Sequence, residues 1–209
     1  GNVITAKEGA GIIIGAAVTE AELAPTPPLP AGDSYCDNCR LCLASCISGL
    51  MDPVEMTHIT LGGVTFSYAK RRSYNRCEYV CGGFAGLHPS GKWSTWSPGR
   101  FPIPEGDHEF MPALVKAVKA YTKWPARPGG FYHVVMKDKL YLTCGHCQLI
   151  CHPDKEERKR RYQSLVTSGV VVQQPDGSLR VCPPGEAKTY VSGLHPEKRA
   201  MYEEDFPIQ

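Results

Sequence analysis

The stretch "CDNCRLCLASC", from Cys36 to Cys46, contains four cysteines within eleven residues. Their spacing is C-x2-C-x2-C-x3-C, and a second group, "CGHCQLIC" (Cys144–Cys151), follows far downstream with the spacing C-x2-C-x3-C. A chain of 209 residues can bury a core without the help of cross-links. The concentration of thiols therefore indicates a chemical role. The three remaining cysteines are Cys77, Cys81 and Cys182.

The first spacing matches the pattern by which bacterial ferredoxins hold [4Fe–4S] clusters. Three cysteines spaced by two residues can bind three corners of one cubane, and the fourth then points to a second cluster. Two cubanes need eight thiolates and the two groups supply seven, so the eighth must be one of the three remaining cysteines. Crossed ligation assigns the first cluster to Cys36, Cys39, Cys42 and Cys151. It assigns the second to Cys46, Cys144, Cys147 and the eighth ligand.

Two other uses of these cysteines compete with the iron–sulfur interpretation. A disulfide framework is typical of short secreted chains, and thiols crowded two residues apart are poorly placed to pair with one another. A structural zinc site usually takes two C-x2-C units, which would leave Cys42 and Cys46 over. Cys182 follows a β-strand pattern and is interpreted as a buried free thiol.

The rest of the chain predicts an α+β fold with much irregular loop. Glycine-rich turns predict hairpins near Gly62-Gly63 and at Pro175-Asp176-Gly177, and the segment 11–18 is interpreted as a buried strand. A helix is predicted to begin at Pro153-Asp154, and another helix near 108–124 carries an apolar stripe. That stripe consists of Met111, Leu114, Val115, Val118 and Tyr121. The tail after Pro183 is expected to be irregular.

Three parts of the chain together resemble the double-cluster portion of the corrinoid-dependent reductive dehalogenases and the related epoxyqueuosine reductases. The first is "ITAKEGAGIIIGAAVTEAELAP", in which Ile4, Thr5, Gly9, Gly15, Ala16 and Thr19 match a strand–turn–strand of that family. The second is Cys36 to Cys46. The third is "RRSYNRC" (Arg71–Cys77), followed by "CGHCQLIC". A lone cysteine between the groups completes the second cluster in that family, so the resemblance favours Cys77 over Cys81.

The resemblance implies a ferredoxin-like module with two [4Fe–4S] clusters beside part of a nitroreductase-like scaffold that binds a corrinoid (cobalamin). It divides the chain into residues 1–30, a strand–turn–strand and linker, and residues 31–209, the cluster domain, with an inserted loop and helix at about 82–130. Gly9, Gly15 and Thr19 would lie close to the corrinoid, where larger side chains would obstruct it. No catalytic residue is assigned, because the family's catalytic acid lies upstream of this match.

The expected function is the relay of single electrons from an external donor to cobalt, for reductive cleavage of a carbon–halogen or similar bond in a small organohalide. The alternative is a ferredoxin-like electron-transfer subunit without a corrinoid. A net charge of +2 argues against a dedicated nucleic-acid partner. The chain is expected to be a fragment of, or a subunit beside, a longer corrinoid-binding polypeptide. Its compartment stays open between the cytoplasm and export after folding with membrane association through a partner.

Overall fold

The computed structural model describes residues 2–121, 131–132, 139–140 and 144–199. The α-helices are α1 (Leu41–Ala44), α2 (Asn75–Cys81), α3 (Phe110–Tyr121), α4 (His146–Ile150), α5 (Lys155–Val166), α6 (Pro184–Ser192) and α7 (Pro196–Arg199). The strands are β1 (Met51–Leu61), β2 (Val64–Arg71), β3 (Phe131–Tyr132), β4 (Lys139–Leu140), β5 (Val170–Gln173) and β6 (Leu179–Cys182). Consecutive strands pair into three antiparallel two-stranded sheets, so the α+β class is confirmed.

The predicted hairpins form where the turn residues allow them. Gly62 and Gly63 connect β1 to β2 with φ of 55° and 79°, the left-handed conformation that two-residue hairpin turns require. Gly177 has a φ of 85° in the turn between β5 and β6. Helix α5 also begins as predicted, because the Asp154 carboxylate accepts a hydrogen bond from the Glu157 amide at 2.7 Å. Within the described residues, no helix is long and apolar enough to cross a bilayer.

The main core surrounds α2, α3 and the long segment between them. Phe84, Trp93 and Phe101 from this otherwise irregular segment pack with Tyr79 of α2 and Phe110 of α3. The Tyr79 and Phe110 rings meet edge to face with centroids 5.8 Å apart. Trp93 therefore belongs to the main core, whereas the nearby Trp96 side chain is 60% exposed.

Helix α3 presents a different face to this core from the one that the apolar stripe predicted. Leu114 and Val118 pack against the core as expected, but Met111 and Val115 are exposed. The buried positions are Phe110, Ala117 and Ala120. The small alanine side chains allow the helix to approach its neighbours closely, so the stripe of larger residues was a misleading guide to the buried face.

The segment 11–18 is not the buried strand that the sequence predicted. Thr5 and Gly9 form an isolated bridge, and no strand is assigned between residues 2 and 50. The Ile13, Ile14 and Val18 side chains are exposed, Val18 fully so. A strand needs a neighbour for its backbone groups, and the described residues place none beside this segment. The prediction for the tail was also wrong, because α6 and α7 follow Pro183.

A buried arginine fixes α2 relative to the loop that follows Cys46. Arg76 is 5% exposed, and its guanidinium donates to the Ser48 carbonyl at 3.0 Å and to the Glu105 carbonyl. It also pairs with Asp107 and lies over the Phe110 ring at 4.5 Å. Since α2 carries two of the cysteines, Arg76 positions them with respect to the first cysteine stretch.

Substitution of Arg76 by methionine should therefore destabilise the protein. Methionine keeps much of the side-chain volume but leaves the two carbonyls without their buried donor, and we expect a loss of about 2 to 3 kcal/mol in the free energy of unfolding. Lys159→Met is the matched control, because the ion pair of Lys159 with Glu156 is exposed and should contribute little. Urea unfolding followed by far-UV circular dichroism measures both. Equal stability of the two variants would contradict the anchoring role of Arg76.

Candidate metal centre

The two cysteine loops face each other because α1 packs against α4. Each loop has the same local design: Cys42 lies in α1 and Cys46 follows it, while Cys147 lies in α4 and Cys151 follows it. A separation of four residues along a helical turn displaces the last cysteine by about 6 Å from the one before it. The last cysteine of each loop, Cys46 or Cys151, therefore lies away from the other cysteines of its own loop and close to those of the opposite loop.

Four thiols from both loops line one cavity, and we call them the first thiol group. The cavity has a volume of about 330 Å³, and apolar side chains including Ile4, Leu41 and Ile150 form part of its wall. The thiols are Cys36, Cys39, Cys42 and Cys151. Asn38 and Arg40 adopt left-handed backbone conformations, with φ of 58° and 63°, which curl the Cys36–Cys42 loop around the cavity.

The remaining loop thiols gather with those of α2, and we call them the second thiol group. Its members are Cys46, Cys77, Cys81, Cys144 and Cys147. The Sγ atoms of Cys77 and Cys81 are 3.7 Å apart, and the Cys81 Sγ lies 3.8 Å from the Cys144 carbonyl oxygen. Cys144 also packs against the main core. The Leu50 amide donates to the Cys46 Sγ at 3.3 Å, an interaction that stabilises a thiolate.

Burial and crowding oppose ionisation of several of these thiols. Burial, followed by the charges of Cys144, Cys46 and Cys77, raises the pKa of Cys147 to about 12. Burial also raises the pKa values of Cys42 and Cys151, and the neighbouring first-group thiols raise that of Cys151 further. Cys77 differs: a hydrogen bond with the Cys81 thiol lowers its pKa to about 7. A bound soft metal would supply the positive charge that such a set of thiolates needs.

The donor set and the first cavity fit a [4Fe–4S] cluster. None of the ten cysteines is in a disulfide. No three His, Cys, Asp or Glu side chains among the described residues converge as ligands of a single metal ion. A cubane instead takes each thiolate at a different iron, so its ligands surround a volume, and the cavity of the first thiol group has that form. The binding of iron by these residues stays a prediction.

Cys182 lies outside both groups. Its side chain is 3% exposed in a small separate core with Val170 and Val172, and its thiol donates to the Val170 carbonyl at 3.5 Å. The prediction of a buried free thiol is confirmed. Of the three cysteines that the sequence offered as an eighth ligand, only Cys77 and Cys81 of α2 lie near the other thiols, and ligation by either stays a prediction.

The N-terminal segment holds the second cysteine loop from outside, which the sequence did not predict. The Asn2 side-chain amide donates to the Cys147 carbonyl at 2.7 Å, and the Ala10 amide donates to the Cys151 carbonyl at 3.0 Å. Gly9 has a φ of 66°, and a Cβ at this position would overlap the Cys151 carbonyl oxygen. Glycine is therefore required here by contact with the cysteine loop.

The other two predicted corrinoid contacts are far less constrained. Nothing lies within 4 Å of the position of a Cβ at Gly15, and the exposed Thr19 hydroxyl accepts a hydrogen bond from the Ala21 amide at 3.1 Å. Contact of Gly9, Gly15 and Thr19 with a corrinoid stays a prediction. The close packing of Gly9 against Cys151 explains the need for glycine at this position without any contact with a corrinoid.

The two histidines beside the cysteines differ in environment. His146 is buried, and its ring centroid lies 5.7 Å from that of Trp93. Burial lowers the His146 pKa, and its buried Nδ1 has no hydrogen-bond partner among the described residues. His152 is half-buried, and its Nδ1 accepts from the Asp154 amide at 3.1 Å.

One of the four basic residues at 158–161, Arg158, is buried and helps to hold the cysteine loops in place. Arg158 is 5% exposed, pairs with Asp37 in the first cysteine loop and donates to the His152 carbonyl at 3.3 Å. It thus joins α5 to both cysteine loops. The other three basic side chains pair with glutamates on the same helix.

Comparison of this chain with protein-family models, with curated proteins and with solved structures found no match.

Substitution of Gly9 by alanine should loosen the N-terminal segment from the second cysteine loop. The positive φ and the overlap with the Cys151 carbonyl together should cost about 1 to 3 kcal/mol of stability, with faster amide hydrogen exchange across residues 2–10. Gly15→Ala is the matched control, since its surroundings are open. Exchange measured by mass spectrometry distinguishes the two. Unchanged exchange in the Gly9 variant would rule out the contact.

The pKa values predict an order of thiol modification in the metal-free protein. At pH 8 a thiol with a pKa of about 7, such as Cys77, is about 90% ionised, whereas Cys147 with a pKa of about 12 is almost fully protonated. Iodoacetamide should therefore label Cys77 well before Cys147 at this pH, with Cys147 reacting only as the pH rises further. Peptide mass spectrometry after anaerobic chelation gives the order, and circular dichroism checks that the fold persists. Equal rates for both cysteines would contradict these environments.

Proposed function

We propose that this chain binds two [4Fe–4S] clusters and relays single electrons. The observation that carries the proposal is the convergence of Cys36, Cys39, Cys42 and Cys151 on one cavity of about 330 Å³. These four come from two distant stretches of the chain in the combination that crossed ligation requires. A mostly apolar cavity lined by four cysteines is suited to an inorganic cluster rather than to a hydrated ion.

Each thiol group would hold one cluster. The first cluster takes the four cysteines of the first thiol group. The second takes Cys46, Cys144 and Cys147, together with a thiol from α2. The chemistry supplied by the bound clusters is reversible one-electron transfer. The protein contributes ligation, burial and hydrogen bonds to sulfur, such as the bond from the Leu50 amide to Cys46, which tune the reduction potential.

The difference in exposure between the two groups suggests a direction for the relay. Cys39 of the first group is exposed, whereas Cys144 of the second packs against the main core. An external electron donor would therefore approach the first group.

The terminal acceptor that we propose is a corrinoid, which makes the chain the iron–sulfur portion of a reductive-dehalogenase-like enzyme. The sequence resemblance carries this step, and the exposed Ile13, Ile14 and Val18 side chains support it. Such an apolar segment is suited to packing against a corrinoid-binding polypeptide. The substrate would then be an organohalide or a similar small molecule.

An electron-transfer subunit without a corrinoid is the second candidate. The observation that favours it is the packing of Gly9 against Cys151, since one of the three residues assigned to the corrinoid is already used by the cysteine loop. In this case the chain would pass electrons to another protein. Ligation of two clusters is common to both candidates.

Metal analysis of the anaerobically purified protein tests the proposal and separates the candidates. Two clusters require about eight iron and eight sulfide per chain. About one cobalt per chain, with a corrinoid absorption spectrum, would favour the enzyme, whereas clusters without cobalt after incubation with cobalamin would favour the carrier. Cys36→Ala should remove about half of the iron, while Cys182→Ala, in the separate core, should remove none. Zinc in place of iron and sulfide would refute both candidates.

A further inference from the structure

The second thiol group has one more thiol than a cubane has irons to bind it. Four thiolates complete the ligation of a [4Fe–4S] cluster. Five cysteines gather at this site: Cys46, Cys77, Cys81, Cys144 and Cys147. The surplus lies on α2, which contributes two of them.

Cys77 and Cys81 lie on one face of α2 because they are four positions apart in the sequence. Their Sγ atoms are 3.7 Å apart, so both thiols occupy the same region of space. Cys81 approaches Cys144 directly, with 3.8 Å from its Sγ to the Cys144 carbonyl oxygen. Cys77 is also within electrostatic reach of Cys144 and Cys147.

The backbone that carries these two thiols is held in place. Arg76, the residue before Cys77, is buried and hydrogen-bonded to the Ser48 and Glu105 carbonyls. At the other end of α2, the Gly82 amide donates to the Glu78 carbonyl at 2.7 Å. A change of the thiol that contacts iron would thus need only rotation of side chains, with the helix unmoved.

From this geometry we infer that Cys77 and Cys81 are interchangeable ligands of one iron in the second cluster. The inference rests on the proposed two-cluster function. If a cluster is bound, the incoming thiol would lose its proton as its sulfur–iron bond formed, and the departing thiolate would take up a proton as its own bond broke. No electron is transferred. The site therefore keeps its cluster when one of the two thiols is lost.

Alanine substitutions measured by iron and sulfide content test this redundancy. Cys77→Ala and Cys81→Ala should each retain the wild-type content of about eight iron per chain. The double variant should lose half of it. Cys36→Ala, in the first thiol group, which has no surplus thiol, should also lose half, and Cys182→Ala, in the separate core, should lose none. Alanine is chosen because serine oxygen can itself bind iron, and because alanine favours the helical conformation of α2.

Electron paramagnetic resonance of the reduced proteins provides a second measurement. Both single variants should keep the signals of two interacting clusters, and the double variant should show one isolated cluster with unchanged far-UV circular dichroism. A single variant that loses half of its iron, as expected for Cys36→Ala, would show that this thiol is the sole ligand and overturn the inference. Full iron in the double variant would overturn it as well. Fewer than eight iron in the wild type would instead refute the proposed function.

Discussion

The packing of α1 against α4 is the contact on which the candidate site depends. Each of these short helices contains one cysteine, Cys42 or Cys147, and a second cysteine follows about one helical turn further along the chain. Placed side by side, they bring Cys151 to the thiols of the first loop, and Cys46 to those of the second. The contact therefore creates two thiol groups that neither loop could form alone. It also brings several thiols close together in a partly buried region. Burial and the charges of neighbouring thiols raise the pKa of Cys147 there.

Three further interactions hold the loops in this arrangement, and each comes from a different part of the chain. Arg76 joins α2 to the segment after Cys46. Arg158 joins α5 to the first loop through Asp37. The N-terminal residues cap the second loop through hydrogen bonds to the Cys147 and Cys151 carbonyls. A frame of this kind would suit the proposed electron transfer, because ligands held in place keep the reorganisation of the site small.

The N-terminal segment separates into two parts with different implications for function. Residues 2–10 belong to the cysteine site, since Gly9 is in contact with Cys151. The following residues expose Ile13 and Val18, which have no packing partner among the described residues. An apolar segment without a core beneath it is suited to a partner, and a corrinoid-binding polypeptide is the partner that the family resemblance suggests. The packing of Gly9 favours an electron-transfer subunit without a corrinoid, whereas the exposed apolar segment favours a corrinoid-binding partner.

The sequence alone determined the features that depend on neighbours a few positions away. These are the two cysteine loops, the hairpin turns at Gly62-Gly63 and Gly177, and the capping of α5 by Asp154. The cysteine spacing also predicted that Cys151 joins the first loop and that Cys46 joins the second. Only the tertiary structure decided that α2 brings both of its thiols to the second group and that Ile13 lies exposed. It also decided which face of α3 is buried. Cysteine spacing and turn residues act within a single element of the chain. The buried face of a helix and the exposure of a segment depend instead on which distant surfaces pack together, and a local sequence pattern does not identify those surfaces.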